Sequence, residues 1–167
     1  IKDSGSKPTP VPSVKESQGL VSEKHQIPEP APTGSASDLL TKAKKLELDR
    51  DYSGALEIYR QAAKKDPTSS QAYDGIGFCL FKLSNYQESI ENLNKAIELD
   101  PQNWLAYLDR GDVYRKLEKN NEALSDYITV TEKSDKYKAD GYNSKGIVFM
   151  NMNDYDRAYA EFNRAIQ

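Results

Sequence analysis

Apolar and small residues recur along this chain at helical spacing, and the pattern itself repeats. In the stretch Gln71 to Pro101, Tyr73, Ile76, Gly77 and Leu80 form one stripe and Ile90, Leu93, Ala96 and Ile97 a second. Each has the three-and-four spacing of an amphipathic helix. Ser84 and Asn85 supply turn chemistry between them. Asp100 and Pro101 close the second helix, because proline disfavours helical geometry in the residue before it. Aligned on Ala55, Ser89, Ala123 and Ala158, which stand 34, 34 and 35 residues apart, the chain shows further columns of small residues at Ala43, Gly77, Gly111 and Gly146 and at Ala62, Ala96, Val130 and Ala165. Large residues fill the columns between: Leu39, Tyr73, Tyr107 and Tyr142; Leu46, Leu80, Tyr114 and Phe149; Tyr59, Leu93, Tyr127 and Phe162. A glycine inside a helix costs about 1 kcal/mol against alanine. Three in one column therefore predict that another backbone approaches closely there, so each unit is a pair of helices in tight contact.

These columns resemble the tetratricopeptide repeat, whose pattern is W-x2-L-G-x2-Y, then A-x3-F, then P, at a period of 34. Tyr73, Tyr107 and Tyr142 stand where the family has tryptophan, Arg110 and Lys145 where it has leucine. The closing proline is present as Pro67 and Pro101 but is Asp135 in the third repeat, which carries one extra residue near Lys133 to Lys138. The resemblance covers residues 36 to 167. It implies an all-α fold, a right-handed α-α superhelix of four helix-turn-helix repeats at 36–69, 70–103, 104–138 and 139–167, the last truncated. In the first repeat helices are expected near 37–49 and 53–65. Lys42, Lys45 and Asp49 there replace Ile76, Cys79 and Leu83 of the second repeat, which suits a terminal unit whose outer face meets water. At the other end, Tyr159, Phe162 and Ile166 are expected to lack a cover.

Residues 1 to 35 read differently. They hold Pro8, Pro10, Pro12, Pro28, Pro30 and Pro32, six of the eight prolines, and almost no large apolar residue. Such a segment cannot build a core and is expected to be a disordered, extended linker, tethering the repeats to an upstream domain or a membrane anchor. Fully extended at about 3.1 Å per residue it reaches on the order of 100 Å. Its alternative role is as a ligand, although neither proline run places prolines three apart. With Ile1 in place of methionine and a last repeat stopping at Gln167, the chain reads as a piece of a longer protein. Its apolar runs fall far short of the roughly 20 residues that span a bilayer, and a soluble fragment is expected.

Composition removes most chemistry. The 23 basic against 26 acidic residues argue against a nucleic-acid binder, which needs a net basic face. Cys79 is the one cysteine and His25 the one histidine. No disulfide, cysteine metal site or histidine-based catalysis is expected, and Cys79 reads as a buried thiol. Gly75 and Gly77 lack the third glycine and the preceding strand of a dinucleotide loop. Asp49, Asp51, Ser53 and Gly54 have the spacing of a calcium loop, but its twelfth position is Arg60 where a bidentate glutamate is required. Neither an enzyme nor a cofactor is expected.

What a stacked array offers is a concave surface. In the family the first helix of each pair lines it. Carried over residue by residue, the groove positions are Ser37, Leu40, Thr41, Lys44 and Glu47; Gln71, Asp74, Gly75, Phe78 and Phe81; Leu105, Leu108, Asp109, Asp112 and Arg115; and Asp140, Asn143, Ser144, Ile147 and Met150. Members that grip the acidic carboxyl end of cytosolic chaperones place cations and amides at sites that here are Leu40, Lys44, Gly75, Leu105 and Asp109. Only Lys44 is cationic, so no carboxylate clamp is expected. Phe78, Phe81, Leu105, Leu108 and Ile147, with the acids Asp74, Asp109, Asp112 and Asp140, instead suit a protein or peptide partner with apolar anchors and basic flanks, and Asn143 is counted with them as a groove residue. A second reading is a homo-oligomer, joined through the tail or the open fourth repeat.

Overall fold

The computed structural model describes residues 34–167; the expected linker lies outside them except for Gly34 and Ser35. Among the described residues there are eight α-helices, α1 Ala36–Leu48, α2 Tyr52–Lys65, α3 Ser70–Lys82, α4 Tyr86–Leu99, α5 Trp104–Lys116, α6 Asn120–Lys133, α7 Lys138–Asn151 and α8 Tyr155–Ala165. Each packs on the next in sequence, and α1, α3, α5 and α7 also touch in series. The result is an all-α solenoid with the odd-numbered helices as one layer and the even-numbered helices as the other.

Local chemistry sets the boundaries. Ser35 and Asp38 form a capping box at α1, and Asp51, Ser69, Asn103 and Asp154 cap α2, α3, α5 and α8, each satisfying an amide that the helix leaves unpaired. Asp51 therefore spends its carboxylate on the Gly54 amide, at 2.9 Å. Between repeats, Asp66 and Asp100 turn the chain by accepting from the amides of Thr68 and Gln102, at 3.0 and 2.9 Å. In the third repeat Ser134 takes that place, with the Tyr137 amide 3.3 Å from its hydroxyl. The extra residue does not lengthen this connection. It extends α7 to 14 residues, against 13 for α1, α3 and α5. Within each repeat the two helices are joined through one residue in the left-handed region, Arg50, Ser84, Glu118 or Asn153, with φ between 59° and 64°.

The glycine column has a specific cause. A Cβ on Gly77 would sit 2.5 Å from Leu93, one on Gly111 2.5 Å from the Tyr127 ring, and one on Gly146 2.5 Å from the Phe162 ring. What approaches is therefore chiefly the large side chain sixteen residues on; only at Gly77 does a backbone atom of the partner helix, the Ser89 carbonyl at 3.2 Å, also crowd the site. Phe162 thus has a cover in α7, whereas Tyr159 and Ile166 are exposed, at 71% and 84%. Lys42, Lys45 and Asp49 are exposed as well.

Where Arg110 and Lys145 replace the family's leucine, the partner helix answers. Arg110 makes a two-pronged bond to Asp126, at 2.6 and 2.9 Å, and a third to Asn94 at 2.7 Å. Lys145 lies 3.0 Å from Glu161. Two charged columns thus face each other where the second repeat has Ile76 and Asn92. The Cys79 thiol is fully enclosed, and burial, with the Glu47 charge, pushes it up to about 12. It stays protonated near neutrality.

Gly111→Ala tests the packing. Better helix propensity favours the variant by about 1 kcal/mol, but the new methyl overlaps the Tyr127 ring, and overpacking costs about 1–3 kcal/mol. The expected outcome is a lower urea midpoint with unchanged helical content.

Candidate functional site

On the layer made by the odd-numbered helices, α1, α3 and α5 line a half-open cavity of about 360 Å3. Leu40, Lys44 and Glu47 enter it from α1, Gln71, Asp74, Gly75 and Phe78 from α3, and Leu105 and Asp109 from α5. All nine occupy positions that the resemblance implies for a groove. The tenth residue, Tyr59 of α2, reads from the sequence as core alone. Its ring lies against Gly75, where any Cβ would collide with it, and its hydroxyl donates to Glu47 at 2.8 Å. A second glycine two residues from Gly77 was the signal in the sequence: it lets an aromatic ring reach the cavity wall.

The remaining sequence-derived site residues fall elsewhere. Phe81 packs obliquely on Tyr86, ring centres 6.1 Å apart, and helps close α3 on α4. Leu108 packs with Ala123, Tyr127 and Val148. Asp112 accepts from the Tyr127 hydroxyl at 2.8 Å and pairs with Arg115 at 2.8 Å. Asn143 is exposed and Ile147 half-buried, both on α7 and neither lining the cavity. Of the nine residues singled out for the site, the cavity gathers Asp74, Phe78, Leu105 and Asp109. Phe78 meets Tyr52 edge-on at 6.1 Å and carries the Lys82 ammonium 4.8 Å over its ring. Leu105 is 42% exposed.

The charges in the cavity are unevenly matched. Glu47 is neutralised by Lys44 at 2.6 Å. Among the described residues neither Asp74 nor Asp109 is in an ion pair. Asp74 Oδ1 is enclosed and has no hydrogen-bond partner. Burial and the Glu47 charge push the Asp74 carboxyl up to about 7, against the opposing pull of the Asn103 amide and Lys44. Asp109 is held well above the carboxylate range by burial first and then by Asp74, Asp112 and Glu47, with Lys82 opposing. A buried acid without an ion-pair partner keeps its proton because the charged form is poorly solvated.

Comparison with known proteins fits this architecture. Residues 79–117 match a family model described as TPR repeat, and residues 139–167 one described as Tetratricopeptide repeat. Over 91 residues the chain is 41% identical to a protein named Protein SGT1 homolog from Oryza sativa subsp. japonica, covering 54% of this chain and 25% of that one. The chain thus spans a quarter of that relative's length. The crystal structure of MamA superimposes with a TM-score of 0.67 at 26% identity, over 78% of this chain and 76% of that chain. The first TPR of Spaghetti (RPAP3), solved bound to an HSP90 peptide SRMEEVD, superimposes at 0.64 with 22% identity, over 71% and 94%. At that identity the likeness is one of fold.

The raised carboxyl makes stability depend on pH. An unfolded aspartate titrates near about 3.9, so the folded array binds the Asp74 proton more tightly. It gains stability as pH falls from about 7 towards 4 and loses it as pH rises through that range. Asp74→Asn mimics the neutral form. Its melting temperature should rise by a few degrees at about pH 8 and its slope between pH 5 and 8 should flatten, both read by thermal melts across pH.

Proposed function

The chain is a tetratricopeptide-repeat protein, and from that premise we infer that it is a non-enzymatic scaffold capturing a partner peptide in its concave groove. The partner presents apolar side chains and basic flanks. The observation that carries this reading is the cavity on the odd-numbered helices, where Leu40, Phe78 and Leu105 supply apolar wall and Asp74 and Asp109 supply acid. A cavity of this size lies at the small end of ligand pockets, the scale of a single inserted side chain. The proposal does not follow the peptide of the RPAP3 structure. Lys44 is the one cation in the cavity wall and is already paired with Glu47, while Leu40, Gly75, Leu105 and Asp109 offer nothing that holds a terminal carboxylate.

The test is selection of peptides from a random displayed library by the full chain. Selected sequences should share an apolar anchor flanked by lysine or arginine. Leu105→Ala, at an exposed position that leaves the fold intact, should weaken them by roughly tenfold, the equivalent of about 1.4 kcal/mol. A pool dominated by acidic carboxyl-terminal sequences, or affinities indifferent to Leu105, would remove the reading.

Exposed Tyr155 and Tyr159 on α8 and Ile166 at its C-terminal end support a second reading, in which two copies meet through their fourth repeats. Sedimentation of the full chain should then show a concentration-dependent dimer that Tyr159→Ser with Ile166→Ser abolishes. A monomer at every concentration rules it out.

A further inference from the structure

Among the acids around the cavity, two are left over once every pairing is assigned. Glu47 has Lys44 at 2.6 Å and the Tyr59 hydroxyl at 2.8 Å. Asp112 has Arg115 and the Tyr127 hydroxyl, both at 2.8 Å. Asp74 and Asp109, on neighbouring helices α3 and α5, line the same cavity and, among the described residues, neither is in an ion pair; Lys44, the cation in the wall, is taken by Glu47. Asp74 Oδ1 is enclosed and unpartnered. An orphaned buried acceptor costs about 1–3 kcal/mol, more when charged. The Asp74 carboxyl that carries this atom lines the cavity and draws only on the Asn103 amide, so it has capacity left for a donor entering there.

The donor this site fits is cationic and carried on an apolar stem. Leu40, Phe78 and Leu105 provide apolar surface beside the two acids, and Gly75 keeps the wall between them free of a side chain. Lysine and arginine combine an alkyl stem with a charged head and bury the first while binding through the second. We propose that Asp74 and Asp109 are the seat of a lysine or arginine side chain of the captured peptide, whose stem lies along Leu40, Phe78 and Leu105. The proposal rests on the groove reading above and deepens it by naming the group recognised. The site works as an acid fork, the charge-reversed counterpart of a carboxylate clamp.

A consequence is proton release. In the empty site the pair keeps a proton, and a bound cation stabilises the ionised form, so seating it expels the proton. The groups facing the pair do not supply the same effect. Lys44 and Glu47 on α1 form a mutual pair, the Tyr59 hydroxyl of α2 and the Cys79 thiol of α3 stay neutral, Lys82 of α3 lies over Phe78 and Phe81, and Asp112 of α5 is paired with Arg115. Affinity for the cation should rise as pH increases from about 5 to about 8.

Capped single residues test the seat directly. Nα-acetyl-lysine amide, Nα-acetyl-arginine amide and Nα-acetyl-norleucine amide are titrated into the isotopically labelled full chain, and the backbone amide resonances of Gly75, Phe78 and Asp109 are followed. The lysine and arginine probes should shift them saturably. Norleucine, which keeps the stem and lacks the charge, should bind at least tenfold more weakly. Asp74→Asn with Asp109→Asn should bring the lysine probe down to the norleucine level, its dispersed spectrum showing that it folds. Raising the pH should tighten lysine and leave norleucine unchanged. Equal binding of lysine and norleucine overturns the cation seat while leaving an apolar groove in place. Silence from all three probes, together with library peptides that leave the same resonances unmoved, overturns seat and groove alike.

Discussion

The architecture depends on one steric fit, made in the second, third and fourth repeats: a residue without a side chain on the first helix of the repeat receives a large side chain from the second. Gly77 receives Leu93, Gly111 receives Tyr127 and Gly146 receives Phe162. The fit fixes how closely the two helices approach. It also fixes which faces remain, because an odd-numbered helix pressed against its partner on one side and its neighbours on two others has one side left over. The cavity is built from that side. Leu93 and Tyr127 are fully buried, and at interior packing density an added methyl group at Gly77 or Gly111 has to displace them.

This joint was readable in the sequence because it recurs. Three glycines in one column and three aromatic or aliphatic residues sixteen positions later leave little choice of partner. The groove was readable only in outline. A positional rule taken from the family indicates which helix faces the concavity but not which of two adjacent side chains turns inward. Leu105 and Leu108 illustrate the limit: both are leucines on α5, yet Leu105 lines the cavity and Leu108 joins Ala123 and Tyr127. Tyr59 shows the reverse. Its column marks it as core, and its hydroxyl reaches the cavity wall only because Gly75 is small. Both outcomes are decided by contacts between one helix and another, which no single-helix pattern carries.

The acids follow the same logic. By sequence alone, aspartates on helix faces read as solvated, and a ring of them around a groove reads as a rim. The structure sorts them by partner instead. Asp126 and Glu161 meet Arg110 and Lys145 across the joint, and Asp112 meets Arg115. Asp74 and Asp109 meet one another's field inside a cavity. The difference between a structural acid and one held in reserve is whether the fold supplies its cation, and that can be judged only when every other cation has been assigned.

A site of this kind favours one class of ligand partly by being uncomfortable when empty. With the Asp74 and Asp109 carboxyls both held above the usual carboxylate range, the free array is less stable near neutrality than it would be with amides in their place. The two acids also set the sign of what can enter. A peptide ending in carboxylates would bring further negative charge into a space where Asp74 and Glu47 already raise the proton affinity of Asp109, and like charges brought together at an interface cost several kcal/mol. A cation removes the discomfort and the repulsion in the same step. On the proposed reading, selectivity between acidic and basic peptides needs no additional residue: it follows from Asp109 standing where the family's chaperone-binding members place a cation or amide, from Asp74 beside it, and from leaving the one cation of the cavity wall, Lys44, bound to Glu47.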